Sequence, residues 1–271
     1  MITLKTKREI ELIRASCRLV ADAHRAIRDL VAAGTTTAEL DRQVERLIRA
    51  RGAEPAWKGY HGYPATICAS VNAQIVHGVP GSSPLRDGDI VGIDIGCRMG
   101  GYYGDQGYTY PVGEVDQETW RLMRVTLESL YLGIEQARPG NRLADITGAV
   151  QSWVESNGYC IVRQFVGHGI GLRLHEDPQV PNYAPLEKNP RLKPGMVMCI
   201  EPMVNMGTDE VVVAEDNWTA AAADGLPSAH YEHVVAITSD GPDILTERLE
   251  YETLSMEPVR DSQERVHALG V

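Results

Sequence analysis

Residues 90–105 of the chain read IVGIDIGCRMGGYYGD, and this stretch decides the fold. Its first half is an apolar run typical of a buried strand, and one carboxylate, Asp94, lies within that run. Met99 and the two glycines after it are typical of a turn, so the residues that follow predict a returning strand that ends at Asp105. A charge in a buried strand is costly unless it is paired or bound to a metal ion. The stretch therefore predicts a β-hairpin that carries an acidic site.

Two opposed carboxylates are one arrangement of this hairpin. If the turn is centred between Met99 and Gly100, Asp94 and Asp105 face each other, with Cβ atoms roughly 4.5–5.5 Å apart. Like charges at that distance repel, and a divalent cation between them would remove the repulsion. The other arrangement pairs Asp94 with an arginine and leaves Asp105 in a turn. The hairpin alone does not choose between them.

Three further segments carry side chains that bind metal ions. Residues 167–178 read GHGIGLRLHEDP and contain two histidines on a glycine-rich stretch, where the backbone can approach a ligand closely. Glu201 ends a second apolar strand, and Glu232 precedes a third. Each of these alone is more often a structural or paired side chain. Four carboxylates and one imidazole together suit two divalent first-row ions and hydrolytic chemistry. The set is Asp94, Asp105, His168, Glu201 and Glu232.

Composition narrows the class of protein. The chain has 271 residues, of which 43% are hydrophobic and 23% charged, as in ordinary globular proteins. Its net charge of −11 argues against a general nucleic-acid or anionic membrane surface. Five cysteines without a CxxC pair argue against a disulfide framework and favour a reducing compartment. No secretory signal or membrane-spanning run is visible, so we expect a cytoplasmic protein.

Two helices are predicted at the N-terminus. Thr6 and Thr36 are each followed three residues later by glutamate, which is the pattern of a capping box. Apolar residues then recur at helical spacing, and we expect the helices to end at Gly34 and Gly52. Helices of this kind beside apolar strands indicate an α/β (α+β) protein.

A weak internal repeat predicts two similar halves. Residues 34–52 align with 140–158 at an offset of 106, and residues 85–94 align with 192–201 at an offset of 107. The first pair is an amphipathic helix, and the second is a turn followed by an apolar strand that ends in a carboxylate. The expected organisation is a single domain over residues 1–256 with halves of about 1–115 and 116–250, followed by a polar tail over 257–271.

The motifs described above, together with others, resemble those of the type I methionine aminopeptidases, in the same order and over nearly the whole chain. The resemblance implies the pita-bread fold, in which two pseudo-symmetric halves surround a central metal-binding cleft. The motifs that carry it are GYHGYP (59–64), VHGVP (76–80), DIVGID (89–94), GD (104–105), GHGIG (167–171), HEDP (175–178), IEP (200–202) and YEH (231–233).

The resemblance implies a role for each expected ligand of two divalent ions, which could be manganese, iron(II), cobalt or zinc. Asp94 would bind one ion bidentately, and Asp105 and Glu232 would bridge both ions. His168 and Glu201 would complete the other ion, and Glu201 would also move a proton of the attacking water.

Substrate contacts follow from the same resemblance. His77 and His175 match two cleft histidines, one near the scissile amide and the other helping to polarise its carbonyl. By motif position, the pocket for the methionine side chain would be lined by Tyr60, Tyr63, Cys68, Leu174 and Trp218. Any of these could instead be plain core, Cys68 and Leu174 foremost.

Some residues depart from the pattern of this family. Gly96 stands where many relatives carry a threonine that supports the second metal ion, and Gln106 replaces the usual threonine or serine after the aspartate. Trp57 is bulkier than the expected cysteine or phenylalanine, and His230 is unusual before the tyrosine-glutamate pair. All five ligands are kept, so we expect an active enzyme. The departures bear on occupancy of the second metal site and on specificity.

The resemblance implies a cytoplasmic, monomeric enzyme that removes the initiator methionine from nascent proteins when the second residue is small. A transient contact with the ribosome is a further partner consistent with that task. An Xaa-Pro aminopeptidase or dipeptidase of the same fold is the alternative enzyme, but such proteins usually carry an extra N-terminal domain. A catalytically weak relative that acts as a binding protein is the non-enzyme alternative, and such relatives typically lose ligands.

Overall fold

The computed structural model describes residues 1–247 and 249. Helices α1 to α4 in this part of the chain span Lys7–Arg28, Thr37–Ala50, Gln117–Glu135 and Leu143–Ser156. The strands are β1 Glu54–Pro55, β2 Ile67–Val71, β3 Gln74–Val76, β4 Ile90–Met99, β5 Tyr102–Pro111, β6 Cys160–Ile161, β7 Gly167–Gly169, β8 Glu176–Val180, β9 Val197–Ile200, β10 Met203–Asn205, β11 Val211–Val213, β12 Ala220–Ala222, β13 Ser228–His230, β14 His233–Thr238 and β15 Gly241–Ile244. The predicted domain end at 256 and the tail 257–271 lie outside the described residues.

The two predicted capping boxes are present. The Thr6 hydroxyl accepts from Glu9 N, and the Glu9 carboxylate accepts from Thr6 N at 2.7 Å. Helix α2 begins in the same way after Thr36. Helix α1 ends at Arg28, so the end predicted at Gly34 is wrong. The backbone N–H of Gly34 donates instead to the carbonyl of Leu85, because the chain has already turned toward the second helix.

Two sheets deliver the side chains of interest. Strand β4 pairs with β1, β2 and β5 in one antiparallel sheet. The other has the order β15-β14-β9-β7-β8, and its described pairs are also antiparallel. Helix α1 packs against β4 and β5, and α3 packs against α4. Among the described residues, no helix is both long and apolar enough to cross a membrane.

The predicted hairpin is present, but its predicted register is wrong. Met99 pairs with Tyr102, so the turn consists of two glycines with φ of 59° and 88°. A two-residue hairpin turn of this kind needs positive φ at both positions, which glycine adopts freely. Asp94 therefore lies opposite Gly107, two residues from Asp105. Because side chains alternate with a period of two, both carboxylates still lie on the same face.

The elements of the internal repeat lie where the sequence alignment places them. Helices α2 and α4 both have 14 residues, and their first residues, Thr37 and Leu143, are separated by the offset of 106. Strands β4 and β9 begin at Ile90 and Val197, which are separated by the offset of 107. The division into halves near residue 115 stays a prediction.

Gly133 and Gly148 form a matched pair for testing how α3 packs on α4. An added Cβ at Gly133 would lie 2.7 Å from Val150 Cγ2, whereas one at Gly148 meets no neighbouring atom of the described residues within 4 Å. We expect Gly133→Ala to lower the free energy of unfolding by about 1–3 kcal/mol through overpacking. Gly148→Ala should raise it by roughly 0.5–1 kcal/mol, because alanine is the better helix former. Denaturant titration measures both changes, and shifts of the same sign would contradict this packing.

Candidate active site

One cleft receives all five side chains that the sequence predicts as metal ligands. The cleft has a volume of about 450 Å³. Two of the side chains come from the β4–β5 hairpin, one from β7, and two from residues at the adjoining ends of β9 and β14. The two sheets therefore face each other across an acidic cavity. The five residues that line it are Asp94, Asp105, His168, Glu201 and Glu232.

The spacing of these side chains suits a bound cation. His168 Nε2 lies 3.5 Å from Glu201 Oε1 and 4.0 Å from Asp105 Oδ2. Both distances exceed the range of an N–H···O hydrogen bond, which is about 2.7–3.2 Å. Asp105, His168, Glu232 and Cys199 can each place one ligand atom so that all four lie within 4.8 Å of one another. Sequence reasoning missed Cys199, although it precedes Glu201 by two residues and so shares its side of the strand.

None of the described residues that line the cleft is a lysine or an arginine that could balance its carboxylates. Burial, followed by the charges of Glu232 and Asp94, raises the pKa of Asp105 well above its usual value. Burial, followed by Glu201 and Asp94, does the same to the pKa of Glu232. The pKa of Glu201 is also raised, by burial and by Asp94. Burial lowers the pKa of His168 to about 3, so this imidazole is neutral at neutral pH and supplies no cation.

Unpartnered oxygen atoms show that the site fits metal ions. Asp105 Oδ1, Glu201 Oε1 and Glu232 Oε1 are buried and have no hydrogen-bond partner among the described residues. A buried polar atom without a partner costs about 1–3 kcal/mol, and more if charged. A divalent ion would supply both the missing charge and the missing contacts. Carboxylate oxygen with imidazole nitrogen is a donor set that first-row divalent ions accept.

Trp57 lies against the metal-binding side of the cleft. Its indole N–H donates to Asp94 Oδ1 at 3.2 Å, and its ring centroid lies 5.6 Å from that of His77. Gly96 permits this arrangement, because a Cβ there would lie 2.8 Å from the Cβ of Ala56. Trp57 and Gly96, which both depart from the family pattern, are therefore structurally linked. The absence of a side chain at 96 leaves space for Ala56, and the next residue, Trp57, then reaches Asp94 with its indole.

His77 and His175 both line the cleft as neutral imidazoles. The pKa of each is lowered to about 4, mainly by burial. The Tyr60 hydroxyl lies 2.6 Å from His175 Nδ1. When this hydroxyl donates, the imidazole proton is on Nε2 and is available to a ligand. The ring of His77 packs edge-on against Phe165 at 5.2 Å.

The predicted pocket residues fall into two groups. Tyr60 and Trp218 line the cavity. Tyr63, Cys68 and Leu174 lie behind it in a buried apolar cluster, so their contact with substrate stays a prediction. Sequence reasoning missed several apolar lining residues, which lie within two positions of the expected motifs and could have been found on that basis. These are Val76, Phe165, Val166 and Met203.

Carboxylates around an imidazole are a donor set used by metal-dependent hydrolases. Similarity to known proteins indicates the same class. The model of metallopeptidase family M24 matches residues 11–239. Methionine aminopeptidase 1 of Bacillus subtilis is 50% identical over 246 residues, which is 91% of this chain and 99% of that protein. The chain therefore belongs to metallopeptidase family M24. The predicted resemblance to methionine aminopeptidases is confirmed.

Solved structures confirm the pita-bread fold. Methionine aminopeptidase from Thermotoga maritima superposes with a TM-score of 0.89 at 43% identity, covering 92% of this chain and 100% of that one. Prolidase from Pyrococcus furiosus gives a TM-score of 0.74 at 26% identity, covering 91% of this chain and 66% of that one. Both the identity and the superposition favour the aminopeptidase over the Xaa-Pro alternative.

Asp105→Asn tests what the buried charge costs the protein without metal. Because its pKa is raised, the folded state disfavours the ionised form of Asp105. An unfolded chain ionises this group near pH 4, so the penalty is absent below about pH 4 and grows as the pH rises toward 7. We expect the variant to raise the thermal midpoint of the metal-stripped protein at pH 7 by about 3 °C or more, and by less at pH 4.5.

Divalent ions should reverse this order of stability. Wild-type protein gains about 2.7 kcal/mol at an ion concentration of 100 times Kd, whereas Asp105→Asn should gain little. Scanning calorimetry with and without Mn(II) or Co(II) measures both proteins. Asp240→Asn removes an exposed carboxylate and should behave as the wild type. A metal-stripped Asp105→Asn protein that is less stable than the wild type at pH 7 would contradict the charge penalty.

Proposed function

We propose that this protein is a metal-dependent aminopeptidase that hydrolyses the bond after an N-terminal methionine. The observation that carries the proposal is the cleft, in which unpartnered carboxylates, neutral imidazoles and aromatic side chains line one cavity. Relatives at 40–50% identity are named methionine aminopeptidase. The proposed substrates are the N-termini of nascent polypeptides whose second residue is small. The proposed setting is the cytoplasm, where the enzyme acts as a monomer in transient contact with the ribosome.

Two divalent ions are the proposed cofactors, and manganese, iron(II), cobalt and zinc all remain candidates. Asp94 would hold one ion, and His168 with Glu201 would hold the other. Asp105 and Glu232 would bridge both. When bound, such ions supply Lewis-acid polarisation of a carbonyl and favour deprotonation of a nucleophilic water at neutral pH.

Glu201 is the proposed proton carrier. Burial and the charge of Asp94 raise its pKa, so a proton accepted from the attacking water is held until it can pass to the leaving amine. One Glu201 oxygen lies 3.5 Å from His168 Nε2 and the other lies 3.7 Å from His230 Nε2, and neither distance is that of a hydrogen bond.

The two neutral histidines are the proposed hydrogen-bond donors to the substrate. His175 would donate to the oxygen of the scissile carbonyl, where negative charge develops, and Tyr60 fixes its orientation. His77 would lie near the scissile amide. Because both imidazoles are neutral at neutral pH, each can donate an N–H hydrogen bond to the substrate without first changing its charge.

The apolar wall of the cleft accounts for the proposed preference for methionine. Tyr60, Phe165 and Trp218 present aromatic faces to the cavity, and a thioether makes favourable contacts with aromatic rings. Trp57 narrows the same wall. We therefore propose a short, apolar specificity pocket with little room for a branched or charged side chain.

A peptide panel tests the proposed function. Metal-stripped protein is incubated with Met-Ala-Ser, Met-Lys-Ser or Ala-Pro-Ser, with and without Mn(II), Co(II) or Fe(II), and the released N-terminal residue is quantified. We expect metal-dependent release of methionine from Met-Ala-Ser alone. Release of alanine from Ala-Pro-Ser would assign an Xaa-Pro enzyme, and no release by folded, metal-loaded protein would contradict the proposal.

Glu201→Gln is the matched control in this panel, because it keeps the shape of the side chain and removes its basicity. We expect the variant to fold and to lose activity by at least about 100-fold, the contribution typical of general acid–base catalysis. Near-normal turnover would remove Glu201 from its proposed role.

A further inference from the structure

His230 is a buried histidine that faces the cleft and has no role in the mechanism above. It is the last residue of β13, and its backbone is fixed on both sides by one hydroxyl. Thr109 Oγ1 accepts from His230 N at 3.0 Å and donates to His230 O at 2.8 Å. The residue is only 4% exposed, and its ring lines the cavity. The fold therefore holds this imidazole firmly at the site.

Gly107 provides the space that the ring occupies. This glycine lies opposite Asp94 in the β4–β5 hairpin. An added Cβ at Gly107 would lie 2.6 Å from His230 Cε1, which is closer than side-chain carbons approach one another. The position of His230 thus depends on the absence of a side chain at 107.

The Nε2 atom of His230 lacks a partner. It is buried and makes no hydrogen bond with any described residue. It lies 3.7 Å from Glu201 Oε2, which is too far for a hydrogen bond. His168 Nε2 stands in nearly the same relation to the other oxygen of Glu201, at 3.5 Å. Two atoms bound at about 2.1 Å to one ion in tetrahedral geometry lie about 3.4 Å apart, so both pairs have the spacing of shared ligands.

Asp94 faces His230 across the same cavity. Burial raises the pKa of Asp94, and the His230 imidazole is the largest influence that opposes this effect. His230, Asp94 and Glu201 therefore surround one part of the cleft with a nitrogen and carboxylate oxygens. His168 lies at the other end of the Glu201 carboxylate.

We propose that His230 is a sixth protein ligand of the metal centre and binds through Nε2 an ion that it shares with Asp94 and Glu201. This inference rests on the proposed metal centre. A second imidazole changes the preference of the centre, because nitrogen ligands favour cobalt, nickel and zinc over manganese. The ion beside Asp94 should therefore discriminate against manganese more strongly than it would with carboxylate ligands alone.

Calorimetric titration of metal-stripped protein with Co(II) and with Mn(II) tests the proposal. Wild-type protein should bind two ions. In His230→Gln one of the two Co(II) sites should lose at least 10-fold in affinity while the other is unchanged, and the corresponding Mn(II) site should lose less. X-ray absorption of the protein loaded with two Co(II) ions should detect two imidazole ligands in total in the wild type and one in the variant.

Two further variants complete the test. His61→Asn replaces another histidine that lines the cavity and is outside the proposed set of ligands, and this variant should bind the ions as the wild type does. Gly107→Ala should displace the His230 ring and weaken the same Co(II) site while keeping the histidine, so the test does not depend on how His230→Gln folds. Unchanged Co(II) affinities and an unchanged imidazole count in His230→Gln, or unchanged affinities of both Co(II) sites in Gly107→Ala, would overturn the proposal. Wild-type protein that binds no ion would overturn the metal centre itself.

Discussion

The rest of the site depends on one electrostatic constraint: four carboxylates lie together in the cleft, and no described residue that lines it is a lysine or an arginine. Burial, followed by repulsion between the carboxylates, raises the pKa of Asp105, Glu201 and Glu232, and one oxygen of each lacks a hydrogen-bond partner among the described residues. Such an arrangement is unfavourable for an empty protein and favourable for one that binds cations. We therefore interpret the clustered carboxylates as an arrangement that destabilises the metal-free protein and allows it to bind metal ions.

The antiparallel sheets hold this cluster in place, and glycines allow its close contacts. The paired strands β4 and β5 fix Asp94 and Asp105 on one face, while β9 and β14 bring Glu201 and Glu232 from the opposite sheet. Small residues at 96 and 107 then leave space for large ones, an indole at Asp94 and an imidazole near Glu201. The absence of a side chain at 96 leaves space for Ala56, which precedes Trp57, and its absence at 107 leaves space for the His230 ring.

The sequence predicts the ligands better than their geometry. Capping boxes and apolar strands depend on neighbours in the chain, so helices α1 and α2 and the hairpin could be placed in advance. The register could not, because residues 99–101 offer two possible pairs of turn residues, and the structure uses the two glycines rather than Met99 with Gly100. The sequence did not predict that Cys199 lies among the ligands or that Trp57 contacts Asp94. Both result from packing between segments that are distant in the chain. Family resemblance supplied the residue roles, which local pattern alone left undecided.

The most direct test of this account is anomalous diffraction from crystals grown with excess Mn(II), recorded on both sides of the manganese absorption edge. The account predicts two peaks roughly 3.5–4 Å apart, with Asp105 and Glu232 between them. Full Mn(II) loading in solution with no peak in the cleft, or with peaks only at surface carboxylates, would contradict it. The buried charges would then need another source of compensation, and the proposed hydrolytic centre would fall with them.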